Sequence, residues 1–83
     1  MRIITSNSTE LLDDERQINI TIEFNEESEM KYDLIDAGVI AIIEGNHISS
    51  IKLTDLNGIE KAVQLTNDEV KQIEYYLEKT YLI

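Results

Sequence analysis

Catalysis by a nucleophile and a base needs a hydroxyl or thiol beside an imidazole, and this chain holds one histidine, His47, and no cysteine. Ser49 and Ser50 follow that histidine closely, but no G-x-S-x-G elbow presents a serine to it. The residues before it, Gly45-Asn46, suit a two-residue hairpin turn, so His47 reads as a polar residue at the start of a surface strand. Without cysteine, neither a disulfide framework nor a thiolate metal site can form. Hard oxygen donors are plentiful in Asp13-Asp14-Glu15 and Glu26-Glu27-Ser28-Glu29, and such groups suit Ca²⁺ or Mg²⁺. Neither run has the spacing of an EF-hand loop, and consecutive acids on a strand point to opposite faces. Loosely held cations are expected, with no specific metal and no cofactor. Phosphate-cradling glycine motifs are missing as well. A chain this rich in carboxylates makes chance pairs everywhere, so paired acids carry no signal for acid–base work. The expectation is a protein that is not an enzyme.

The acids carry more information as a field than as catalysts. Aspartate and glutamate number 17 against 7 lysines and arginines, for a formal charge of −10. Ten of the acids fall between Glu10 and Asp36, where Arg16 and Lys31 are the only bases, whereas Ile51 to the end carries six acids and four bases. Such a charge opposes direct contact with nucleic acid phosphates and with anionic membranes, and it favours a protein partner with a basic surface. Asp13, Asp14, Glu15, Glu26, Glu27 and Glu29 are the candidate contact residues.

The elements that must position these residues can be read from periodicity. Gln17 to Phe24 alternates strictly, with Ile18, Ile20, Ile22 and Phe24 on one side and Gln17, Asn19, Thr21 and Glu23 on the other. That is a strand with one face buried and one wet. Asn25 to Glu29 reads as a loop, and Met30, Tyr32 and Leu34 as the alternate positions of a returning strand. Val39 to Glu44 is apolar on both faces, as a central strand would be. After Gly45-Asn46, His47 to Thr54 forms a further strand. A type I turn over Asp55 to Gly58, with Gly58 as the left-handed bulge residue, would then pair Leu53 with Lys61 and Ile51 with Val63. It would gather Ile51, Leu53, Ile59, Val63 and Leu65 on one side. Thr66 and Glu69 form a T-x-x-E capping box, flanked by Leu65 and Val70 at the staple positions. Val70, Ile73, Leu77 and Tyr81 continue it as one apolar stripe of a helix. Arg2 to Thr5 suits an edge strand, and Ser8 to Glu15 a helical turn or an acidic loop. The expected fold is α+β, an antiparallel meander of four or five strands with one C-terminal helix packed on one face.

Two tyrosines, Tyr76 and Tyr81, fall beside or within the helix stripe and read as structural. Tyr75 falls on the far side near Lys71, Lys79 and Leu82, where an exposed tyrosine is a candidate partner-binding residue.

Eighty-three residues make one domain, 1–83, with a folded surface of roughly 5,000 Å². So thin a core gains from a partner or a second copy, and a binding patch of about 800 Å² needs only one face. No signal-peptide layout and no membrane-length apolar run is present, so a cytoplasmic location is expected. The length, the carboxylates from Glu10 to Asp36, the lack of cysteine and proline, the Ile/Asn/Lys/Glu-rich composition and the Leu65-Thr66-Asn67-Asp68-Glu69 lead into the last helix together resemble small acidic phage proteins. Those proteins bind and disable host factors, and include anti-CRISPR and DNA-mimic inhibitors. The resemblance implies a protein inhibitor acting in the host cytoplasm at a basic nucleic-acid-binding site, and it transfers no functional residue. The alternative expectation is a structural or assembly subunit, a homodimer or a small component of a larger complex.

Overall fold

Alternating isoleucines on Gln17 to Phe24 find the burial their spacing predicts. Ile18 and Ile22 are 0% exposed and Ile20 2% exposed. The computed structural model describes residues 1–24, 36–62 and 64–82. Within them β1 (Arg2–Glu10), β2 (Glu15–Glu23), β3 (Asp36–Glu44) and β4 (His47–Thr54) form one antiparallel sheet in the order β1-β2-β3-β4. Helix α1 (Asn67–Tyr81) follows and supplies Ile73 and Leu77 to the same buried cluster as the sheet. This is the expected α+β meander with four strands. The strand expected around Met30, Tyr32 and Leu34 lies outside the described residues.

β3 is an interior strand, as its apolar character on both faces requires. Val39, Ala41 and Ile43 are buried on the helix side, while Ile40 and Ile42 are half-buried on the other. β4 follows the Gly45-Asn46 turn, with Gly45 at φ 57. Ile48 pairs with Ile43 and Ser50 with Ile42, leaving Ser49 as one extra residue. That bulge puts Ile48 and Ile51 on one face although they stand three apart.

β1 is longer than Arg2 to Thr5, running on to Glu10. Of the stretch read as a helical turn or an acidic loop, Ser8 to Glu10 belongs to β1 and Leu12 to Glu15 is a tight acidic turn. Glu15 N donates to Leu12 O at 3.3 Å, and both central residues are left-handed, Asp13 at φ 60 and Asp14 at φ 63. A turn of that kind matches the twist of a hairpin. A second bulge in β1, at Ile4, separates the Ile3–Ile22 pair from Thr5–Thr21.

The turn after β4 forms as its residues predict. Gly58 stands at φ 85, Gly58 N donates to Asp55 O at 3.1 Å, and Lys61 N donates to Leu53 O at 2.9 Å. Asp55 Oδ1 accepts from the backbone of Asn57 and Ile59 at 2.9 and 3.0 Å. Beyond it the described residues form one bridge, Thr54–Glu60, and Ile59 is 63% exposed instead of joining the core. The expected partner of Ile51, Val63, is outside the described residues.

Helix α1 opens on the capping box. Glu69 N donates to Thr66 Oγ1 at 3.2 Å, and Thr66 N donates to Glu69 Oε1 at 2.9 Å. Its far end is fastened to the sheet by hydroxyls. Ser6 Oγ of β1 lies 2.5 Å from Tyr76 Oη and 2.7 Å from Tyr81 Oη, with the two rings edge to face at 6.4 Å. Arg16 Nη2 adds a bond to Tyr81 O at 3.2 Å. Both tyrosines therefore hold the helix, in keeping with their place on the wheel.

Candidate protein-binding surface

One end of the sheet carries two turns side by side, the β1–β2 turn and the β3–β4 turn, joined by Gly45 N donating to Asp14 O at 3.1 Å. The strands deliver Glu10, Glu15 and Glu44 to that end, and the turn itself supplies Asp13 and Asp14. Asp13 and Asp14 are exposed and Glu15 is half-buried. These three candidates are thus brought together, and Glu44 joins them although its position in sequence gives no hint of it. Leu12, 85% exposed, and Leu11, 42% exposed, project from the same turn. Only the juxtaposition of Leu11-Leu12 with Asp13-Asp14 in sequence could have marked them, because two leucines at a loop tip bury nothing within the chain. Glu26, Glu27 and Glu29 lie outside the described residues.

His47 stands exposed at this end, 3.7 Å from Glu44 Oε2. Among the described residues no group of three or more histidines, aspartates and glutamates is placed to hold a metal ion. No described helix is long and apolar enough to cross a membrane.

Tyr75 is 60% exposed on the outer side of α1, apart from the turn end, with Lys79 Nζ 4.7 Å from its ring centre.

A third surface is the sheet face away from α1. Register places its side chains in rows: Thr9, Gln17, Ile42 and Ser50; then Asn7, Asn19, Ile40 and Lys52; then Thr5, Thr21, Gly38 and Thr54. Lys52 is the one charge among those twelve positions, and its Nζ lies 4.0 Å from Glu60 Oε2. Amides bridge the strands, with Gln17 Nε2 donating to Asn19 Oδ1 at 3.1 Å and Asn19 Nδ2 to Asn7 Oδ1 at 3.3 Å. The Asp55–Gly58 turn leans on one corner, so closely that a Cβ on Gly38 would stand 2.5 Å from Thr54 Oγ1 and 3.2 Å from Asp55 O. Periodicity marks the wet side of β2; its continuation across all four strands depends on register and on two bulges.

No family model, characterised protein or solved structure matches the chain.

Proposed function

We propose that this chain is a binding protein that engages a basic surface of a protein partner through the acidic end of its sheet. In the fuller form of the proposal it inhibits that partner by occupying a groove that would otherwise hold nucleic acid phosphates. The observation that supports this reading most is the turn end itself. Five carboxylates, from Glu10, Asp13, Asp14, Glu15 and Glu44, fall at that end of the sheet together with the exposed Leu12, with the base Arg16 among them. An exposed apolar residue beside an excess of like charge combines what gives affinity with what gives fast encounter and choice of partner. Salt weakens such a complex, because exposed charges are screened over about 8 Å at physiological ionic strength.

The test is capture of partners from lysate by tagged wild-type chain and by Asp13→Lys/Asp14→Lys, at 50 and 500 mM salt. The expected outcome is a basic nucleic-acid-handling protein held by the wild type at low salt, released at high salt and not held by the variant. Unchanged circular dichroism shows that the variant is folded. A partner retained equally by both chains would overturn the reading.

A further inference from the structure

Two carboxylate pairs sit directly opposite each other across neighbouring strands, Glu15 against Glu44 and Glu23 against Asp36. Like charges placed so destabilise a sheet. Relief is partial: Arg2 Nη2 reaches Glu23 Oε1 at 3.0 Å, and His47 Nε2, 3.7 Å from Glu44 Oε2, offsets charge only when protonated. Among the described residues Glu15 and Asp36 have no ion-pair partner. The two pairs share the face opposite α1 and bracket its three nearly uncharged rows. Glu15 and Glu23 stand eight residue steps apart along β2, roughly 27 Å at about 3.4 Å per step.

A rule of sheet stability broken twice, symmetrically, on a face that no described element covers apart from the Asp55–Gly58 turn at one corner points to a ligand that supplies cations. A second copy does not fit. With the two-fold axis along the strands, face-to-face pairing sets Glu15 over Glu44; with the axis across them, it sets Glu15 over Glu23 and Glu44 over Asp36. A phosphate chain is repelled by the same four groups. We infer that the open sheet face docks a helix of a partner protein, one with an uncharged polar and apolar middle and a cationic residue near each end. A helix of about 18 residues spans the gap at 1.5 Å per residue. Ile40 and Ile42 give its middle an apolar footing, and the surrounding Asn, Gln, Thr and Ser side chains offer hydrogen bonds. Four strands at about 4.8 Å and a length of about 27 Å give the face at most on the order of 500 Å², less the corner under the Asp55–Gly58 turn, below the usual share of a stable interface, so the complex is weak and salt-sensitive. This inference rests on the reading of the chain as a binder of basic proteins and assigns it a second, larger contact.

The probe is a pair of capped 18-residue alanine–glutamine helices with the same four arginines, two at each end in one and all four in the middle of the other. Each is titrated into the full ¹⁵N-labelled chain at 20 mM and 300 mM NaCl. The end-charged peptide is expected to bind at least tenfold tighter at low salt, to shift the amides of Gln17, Asn19, Ile40 and Ile42, and to lose fivefold or more in Glu15→Gln/Asp36→Asn. That variant removes repulsion and so keeps its fold. Equal affinity for the two peptides, or no binding at 20 mM, overturns the inference. Shifts confined to Leu11–Asp14 that vanish in Asp13→Asn/Asp14→Asn also overturn it, while leaving the turn-end reading in place. Face binding with capture of the partner unaffected by Asp13→Lys/Asp14→Lys is the converse, and removes the turn end instead.

Discussion

Asp13 and Asp14 are the residues on which local strain and proposed function meet. Both hold φ near 60°, a region that costs an L-residue roughly 1–2 kcal/mol and that aspartate tolerates better than most. Glycine takes it freely, at the cost of more chain entropy lost on folding. Asp14→Gly is therefore expected to stabilise the fold by about 0.5–1 kcal/mol, and Asp14→Val to destabilise it by about 1 kcal/mol or more, measured as urea midpoints. If the glycine variant is more stable and captures less partner, the carboxylate is kept for binding at the expense of stability. The hydroxyl cluster makes a second prediction. Ser6 Oγ is shared by Tyr76 and Tyr81, so Ser6→Ala should cost about 1–2 kcal/mol and quicken hydrogen exchange in the last turns of α1. Neither feature was legible in the sequence. Ser6 reads as one polar residue among many, and its role exists only because β1 continues past Thr5 and passes beneath the end of the helix.

Among the elements, β2, β3 and α1 were legible because each carries its own signal: strict alternation, an apolar run on both faces, and a capping box ahead of one stripe. β1 carries none. Ser6-Asn7-Ser8-Thr9 has no hydrophobic period, and it is a strand because β2 offers it an edge to pair with. The segment after Gly58 failed in the opposite sense. Its apolar residues favoured a full returning strand, yet past the Asp55–Gly58 turn the described residues show one bridge, at Glu60, with backbone bonds at Ile59 O and Lys61 N, and no further strand. The bulges are invisible to any periodicity argument, since an extra residue breaks the very period being counted. Ser49 allows a sharp test. Deleting it leaves His47, Ile48, Ser50, Ile51, Lys52 and Leu53 as a regular alternation with Ile48, Ile51 and Leu53 still facing the helix. That deletion is expected to keep the fold within about 1 kcal/mol. Deleting Lys52 flips Leu53, 4% exposed, onto the open face and should lose several kcal/mol, since a one-residue slip moves a strand's apolar set to the wrong side. Denaturant melts of the two deletions decide it, and equal damage from both would mean that the bulge itself is needed.

At the scale of the whole molecule, opposed forces meet in the charge of −10. The described ion pairs are few and exposed: Arg2–Glu23 at 3.0 Å, Lys52–Glu60 at 4.0 Å and, when the imidazole is protonated, His47–Glu44 at 3.7 Å. Pairs of that kind contribute about 0–1 kcal/mol each, and less in salt. Against them stand the Glu15–Glu44 and Glu23–Asp36 oppositions, the crowded turn end and the general self-repulsion of a compact acidic chain. Repulsion should win, so adding salt is expected to stabilise the fold. Raising NaCl from 20 to 300 mM shortens the screening length several-fold, and a gain of about 1 kcal/mol would raise the melting temperature by roughly 4–8 °C in a domain of this size. Salt therefore acts in opposite directions on the two properties of this protein, strengthening its fold and weakening its proposed contacts. Melting the chain in the salt series used for partner capture tests that pairing directly. A melting temperature that falls with salt would place the favourable pairs above the repulsion, and Glu15 and Asp36 would then have no need of cations from a partner.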